Sequence, residues 1–201
     1  MKEIKLIDQK QLATAKVYTD RWHWATTLKT GMSILEVGVA AGDFSEHLIK
    51  NAKPSRLVLL DKFDQCDPAL AAGDRPLRYK EGQNLEFVKN RFKDYNFVEF
   101  LVGDTLDVLP KLTKEKQIFD VIYIDASHRI PYIESDIKHA SEMIDKNGFL
   151  AINDYIAWDQ NGEKYDVIYS VNKFLDENTN WYVSGIALER NMYSDIYLRK
   201  Y

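Results

Sequence analysis

Short apolar runs alternate with amphipathic stretches along most of this chain. Residues 33–38 (SILEVG), 56–61 (RLVLLD), 97–102 (FVEFLV), 119–125 (FDVIYID) and 149–152 (FLAI) are brief and mostly rich in β-branched or aromatic residues. Such runs predict β-strands. Between them, residues 43–50, 84–92, 105–112, 133–144 and 165–175 read as helices. Leu85, Val88 and Phe92 share one helical face, and Ile133, Ile137, Ala140 and Ile144 another. Asp43 suits an N-cap, with Glu46 in the capping-box position. Pro131 suits a first helical turn, and Asn147–Gly148 a turn before the fifth strand. Residues 181–188 and 192–199 are again aromatic and β-branched and predict a closing hairpin.

Strands apolar enough to be covered on both faces, alternating with helices, predict an α/β fold. The expected form is a Rossmann-like, doubly wound, mostly parallel seven-stranded sheet with helices on both faces and a C-terminal antiparallel hairpin. Residues 33–201 form this sheet domain, and residues 1–32 an N-terminal helical segment belonging to it. Ligands of such sheets bind at the carboxyl ends of the strands.

Composition narrows the picture only slightly. The chain has 201 residues, 45% hydrophobic and 29% charged, which suits one globular domain. Its 27 Lys and Arg against 31 Asp and Glu leave a net charge of −4. That balance argues against a protein whose main work is gripping nucleic acid phosphates. The single cysteine, Cys66, excludes an internal disulfide and a cysteine-based zinc site. The opening MKEIKLIDQK lacks the apolar core of a secretory signal, and no run approaches 18 apolar residues. The expectation is a soluble cytoplasmic protein with no membrane partner.

The strand ends carry the chemistry. The first reads Glu36-Val37-Gly38-Val39-Ala40-Ala41-Gly42. Small residues at 38, 40 and 42 allow a tight turn and close approach of a ligand to the backbone. A dinucleotide fingerprint would need a third small residue where Asp43 stands, and an Asp there would repel a pyrophosphate. The loop therefore suits a nucleoside without phosphates; a plain βα turn is the simpler reading. Asp61 ends the second strand and can accept hydrogen bonds from a ribose diol. Gly103-Asp104-Thr105 follows the third strand, where Asp104 either meets an adenine amino group or caps the next helix.

From these residues the chain resembles the class I S-adenosylmethionine-dependent methyltransferases. The resemblance rests on E-x-G-x-x-x-G from Glu36 to Gly42, Asp61, Gly103-Asp104, and FDVIYID entering Asp125, and it covers residue 33 to the C-terminus. It implies S-adenosylmethionine as cofactor. Glu36, Gly38, Ala40 and Gly42 would lie beside its methionine part, Asp61 on the ribose, Asp104 near the adenine, with Thr105 and Asp125 completing the pocket. Ala40 stands where glycine is frequent.

The fourth and fifth strand ends read Asp125-Ala126-Ser127-His128 and Ile152-Asn153-Asp154-Tyr155. Adjacent strands lie about 4.8 Å apart. Asp125, Asn153 and Asp154 could thus converge as oxygen ligands suited to Mg²⁺ or Ca²⁺. The pattern is similar to the metal-dependent O-methyltransferase branch acting on sugars and small molecules. That resemblance implies Asp125, Asn153 and Asp154 as metal ligands, Mg²⁺ as a candidate cofactor and His128 as general base. Asn153 departs from it by removing a negative charge. The plainer readings are that Asp125 only lines the cofactor pocket, His128 caps a helix and Asn153-Asp154 forms a turn.

A hydroxyl is a poor nucleophile until it loses its proton, which a metal or a neutral histidine can assist. The leading expectation is O-methylation of a hydroxyl on a small molecule or saccharide. N-methylation of an amine, nicotinamide-dependent oxidation and a non-catalytic cofactor-binding module are the competing readings, and a homo-oligomer is compatible with any of them. His47 and His139 fall within helices and read as surface or packing residues. Trp22-His23-Trp24 is placed to cover the cofactor or substrate, with core packing expected for at least one tryptophan. The long 62–82 connection brings Arg75, Arg78 and Lys80, which could meet an anionic substrate. Asp159, Asn161 and Glu163 could hold sugar hydroxyls.

Overall fold

The computed structural model describes residues 4–65, 67, 77–159, 161–189 and 193–201. Cys66, Arg75 and Met192 lie outside these residues. A 3-10 turn at Gln9–Leu12 leads into strand β1 (Lys16–Tyr18) and helix α1 (Arg21–Thr26). The chain then alternates as read from its pattern: β2 (Ser33–Val37), α2 (Asp43–Asn51), β3 (Arg56–Asp61), α3 (Asn84–Arg91), β4 (Val98–Val102), α4 (Thr105–Lys114) and β5 (Phe119–Ile124). It continues with α5 (Tyr132–Met143), β6 (Ile144–Ile152), α6 (Val167–Glu177), β7 (Trp181–Leu188) and β8 (Ser194–Lys200).

The sheet order is β1-β7-β8-β6-β5-β2-β3-β4, with β8 antiparallel to both its neighbours and all other pairs parallel. The strands explain why the sheet is covered twice. Leu35, Val58, Leu60, Ile122 and Ile124 pack with α4, α5 and α6 on one face. Ile34, Leu57, Leu59, Val121 and Tyr123 pack with α1, α2 and α3 on the other. Side chains of a strand alternate between faces, so a run with no polar face needs a helical layer on each side. Progression reverses between β2 and β5, which places the topological switch point at their carboxyl ends.

The structure modifies several expectations. The sheet has an eighth strand, because β1 from the N-terminal segment pairs with β7, Lys16 opposite Gly185. A run of three residues is too short to display alternation, and its partner lies far along the chain. Asp43 is not the N-cap of α2. Gly42, at φ +76°, takes that position, and the Asp43 carboxylate turns to Arg78 and Arg91 instead. Ile144 leaves the helix and begins β6, opposite Phe119. β6 also runs through Asn147–Gly148. The turn chemistry is present, since Asp145 accepts from the Asn147 N–H at 2.9 Å, but it is absorbed as a register shift against β5.

Candidate active site

The ladder continues one residue past the strand ends. Gly38 N donates to Leu60 O (2.8 Å), Asp125 N to Val37 O (2.7 Å) and Asn153 N to Ile124 O (2.9 Å). These bonds fix the first residue of each loop. Gly38, at φ +90°, comes so close to the neighbouring strand end that a Cβ there would stand 2.1 Å from the carbonyl oxygen of Asp125. Gly42 faces Phe92 in the same way, at 2.7 Å. Glycine is thus required by the crowding at these positions as well as by the left-handed backbone.

Beside this loop lies a cavity of about 350 Å³. Gly38, Ala40, Asp61, Asp104, Thr105 and Asp125 line it, joined by Leu60, Lys62, Gln65, Gly103, Ala126, Ser127 and Tyr132. Asp61 organises the loop directly. Its Oδ2 accepts from the N–H groups of Val39 (2.7 Å) and Ala40 (3.0 Å), and its Oδ1 from that of Phe63 (2.8 Å). A carboxylate offers roughly four acceptor positions, so little capacity is left for a diol. Asp104 caps α4 by accepting from Leu106 N at 2.9 Å, and its Oδ2 pairs with Lys62 Nζ at 2.7 Å. Those contacts hold the Asp104 carboxyl below its usual range, the Lys62 bond most strongly. Glu36 and Gly42 lie off the cavity wall. Glu36 is buried beneath the loop, and burial pushes its carboxyl up to about 8.

A second cavity, about 740 Å³, opens where α1 meets the ends of β5, β6 and the β7–β8 hairpin. It is lined by Thr19, Asp20, Arg21, Trp22, Asp125, Asn153, Asp154, Glu189 and Tyr193. Asp125 borders both cavities. His128 lies beside them: its Nε2 is 3.8 Å from Asp125 Oδ1 and 3.9 Å from Asp154 Oδ2. That nitrogen has no hydrogen-bond partner among the described residues. The imidazole stacks on Tyr165, centroids 4.7 Å apart. Burial lowers its pKa, opposed by Asp125 and by the side chain of Asn153, so the neutral ring prevails at pH 7.

The carboxylates here are crowded. Burial, then Asp125 and Asp195, push Asp154 up to about 7. Burial also pushes Asp195 up to about 7, against the Tyr123 hydrogen bond and Arg21. Asp125 is raised by burial, opposed first by Arg21. Arg21 Nη1 lies 3.0 Å from Asp125 Oδ2 and 3.2 Å from Tyr123 Oη. The Tyr123 hydroxyl donates to Asp195 Oδ2 (2.7 Å), and Asn153 Nδ2 donates to Asp195 Oδ1 (2.9 Å).

Asp125, Asn153 and Asp154 come to one cavity, as the metal expectation requires, but with a guanidinium among them. Among the described residues no group of three or more His, Cys, Asp or Glu side chains is arranged to hold a metal ion. Asp125 is ion-paired to Arg21, and Asn153 turns its amide toward Asp195. These residues, as placed, do not fit Mg²⁺.

Arg21, Tyr123 and Asp195 are site residues that the sequence pattern did not single out. Arg21 sits beside Trp22-His23-Trp24, and those aromatics were the available signal. Trp24 is core, stacked on Tyr197 at 4.1 Å, whereas Trp22 lines the second cavity. Other polar candidates are engaged elsewhere. Arg78 bridges Asp67 and Asp43, and His47 bonds Trp22 O at 2.8 Å. His139 is 3.2 Å from Thr113 Oγ1. Asp159 accepts from the N–H groups of Asn161 and Glu163, and Glu163 pairs with Arg129. Among the described residues, no helix is long and apolar enough to cross a membrane.

Solved structures share the fold at low identity. A putative caffeoyl-CoA O-methyltransferase from Staphylococcus aureus aligns over 98% of this chain and 86% of its own, with TM-score 0.58 and 12% identity. The N-methyltransferase NodS from Bradyrhizobium japonicum WM9 aligns over 96% and 98%, with TM-score 0.59 and 17% identity. Aeropyrum pernix fibrillarin, solved with natively bound S-adenosyl-L-methionine, aligns over 85% and 67%, with TM-score 0.58 and 13% identity. No curated protein matches the chain. The sequence-family model described as a methyltransferase domain matches residues 35–155, which span β2 to the end of β6 and every loop that borders the first cavity. The chain belongs to this methyltransferase-domain family, on the fold of S-adenosylmethionine-dependent methyltransferases.

Proposed function

We propose that this protein transfers a methyl group from S-adenosylmethionine to a hydroxyl of a small molecule or saccharide, with His128 as general base. The observation that carries the reading is the meeting of two cavities at Asp125, with the unpartnered Nε2 of His128 beside it. The first cavity suits the cofactor. Gly38 and Ala40 bring backbone close to the methionine part, and Gly42 shapes the turn behind them. Asp61 offers its remaining acceptor capacity to the ribose, and Asp104 with Thr105 stands near the adenine. Asp125 stands on the sulfonium side, and Glu36 lies buried beneath the loop. The acceptor enters the second cavity, its hydroxyl within reach of His128. The imidazole takes the proton as oxygen attacks the methyl carbon and sulfur departs, an in-line displacement whose rate depends on alignment. No step runs through a metal.

Calorimetry with S-adenosylmethionine and S-adenosylhomocysteine tests the cofactor; absence of heat with both at high micromolar concentration removes the reading. For the base, His128→Ala is expected to lower kcat roughly 10²–10⁴-fold with cofactor affinity unchanged. A wild-type rate would leave His128 as a packing partner of Tyr165.

The acidic lining of the second cavity favours one further reading, an amine acceptor. Among the described residues, Asp20, Asp125, Glu189 and the partly ionised Asp154 face one guanidinium there, a balance that attracts cations. An amine needs less activation, so His128→Ala would then leave turnover largely intact. An acceptor panel pairing amino sugars with their hydroxyl counterparts separates the two.

A further inference from the structure

We infer that Arg21 is the resident cation of the acceptor cavity, a tethered guanidinium that occupies the electrostatic place of a divalent metal and keeps such an ion out. The backbone of Arg21 is fixed on several sides. Asp20 caps α1 by accepting from His23 N at 2.6 Å, and Arg21 N donates to Glu189 Oε1 at 2.7 Å. Trp24, one turn on, is anchored in the core against Tyr197.

The side chain is held as firmly. Its guanidinium carbon lies 5.3 Å from the Trp22 ring centroid and 5.4 Å from that of Phe44. Cations favour such aromatic faces. Nη1 meets Asp125 Oδ2 and Tyr123 Oη, and the chain of bonds continues through Asp195 to the Asn153 amide. One charged group thus organises residues from α1, β5, β6 and β8.

This arrangement competes with a metal for the same oxygens. Mg²⁺ and its analogues need several oxygen ligands in a compact shell. Asp125 already spends Oδ2 on Arg21, and Asn153, its amide N–H held by Asp195, offers only a neutral carbonyl oxygen. Asp154 remains, within 3.9 Å of His128. Entry of a dication would have to expel a guanidinium whose positive charge would then stand beside it, which is unfavourable in a partly buried site. Remove the guanidinium and the remaining carboxylates have no fixed cation among the described lining residues, and a divalent ion becomes the available one.

The inference concerns the charge of the cavity, independent of the acceptor and of turnover, and is read with Mn²⁺ as probe. Electron paramagnetic resonance of the full chain is expected to show no saturable Mn²⁺ uptake up to about 1 mM in wild type or in Arg21→Lys. Arg21→Gln is expected to bind about one equivalent at least ~10-fold more tightly, and Asp154→Asn in that background to abolish the gain. Saturable uptake by wild type that Asp154→Asn removes would overturn the inference. So would a folded Arg21→Gln, by circular dichroism, that gains no Mn²⁺. Should Arg21→Gln not fold, wild-type melting decides: an unchanged Tm in ~1 mM Mn²⁺ supports the inference, and a raised Tm overturns it.

Discussion

Gly38 shows how much one residue can be asked to do in the loop after β2. Its φ of +90° disfavours any side chain, and the space a Cβ would occupy is filled by the backbone of Asp125, 2.1 Å away. A flexible neighbour could move aside; two ladder-bonded strand ends cannot do so cheaply. Gly38→Ala is therefore expected to cost about 3 kcal/mol or more in urea unfolding and to abolish S-adenosylhomocysteine binding by calorimetry. Its chemistry was legible because E-x-G-x-x-x-G marks a turn needing small residues. His128 was legible too, as a histidine three residues past a strand-ending aspartate. Arg21 was not, because an arginine flanked by aromatics resembles many helix starts. Only its contact with Asp125, 104 positions away, distinguishes it.

At the scale of elements, the N-terminal segment departs most from its local pattern. It forms a 3-10 turn, a short strand and one short helix. Gln11 ties the turn to the rest of the fold, its Nε2 donating to Leu175 O (3.0 Å) and Trp181 O (2.9 Å). β1 lies so close to β7 that a Cβ at Gly185 would meet Lys16 O at 2.9 Å. α1 then buries Trp24 between Tyr197, Tyr123 and Phe149. Trp24→Ala is expected to lower stability by about 3–5 kcal/mol in urea denaturation, since a large buried ring is replaced by a void. A loss below about 1 kcal/mol would mean that α1 sits loosely on the sheet, and with it Arg21. By contrast, helices α2 to α6 were readable within a few residues, because each carries its own apolar stripe. The β5–β6 irregularity was misread as a simple turn, since local turn residues do not reveal that strand pairing resumes on both sides.

For the molecule as a whole, several buried carboxyls share one tendency. Glu36 is pushed up to about 8, and Asp136, Asp154 and Asp195 to about 7, in each case chiefly by burial. Asp136 is fully buried inside α5, where contact with Thr105 only partly offsets the effect of burial. Its folded form keeps a proton to about pH 7, whereas an unperturbed Asp releases it near 3.8. The folded state therefore binds the extra proton between those limits, and the associated stability is complete below the lower value and lost as pH rises through about 7. The Tm of wild type is expected to fall from pH 5.5 to 8.5, and Asp136→Asn to flatten that slope; parallel slopes would show that Asp136 does not contribute. The same alternation of apolar runs and amphipathic stretches that opens the sequence determined the strands, the helices between them and the glycine turn, because each depends on neighbours within a few residues; strand order and the switch point rest on pairings such as Ile34 with Val121. Tertiary structure alone decided the charge of the site. It brought Arg21 to Asp125, Tyr123 to Asp195 across 72 positions and Asn153 beside them, since oppositely charged side chains meet in a buried cleft only after strand order has set which ends are adjacent.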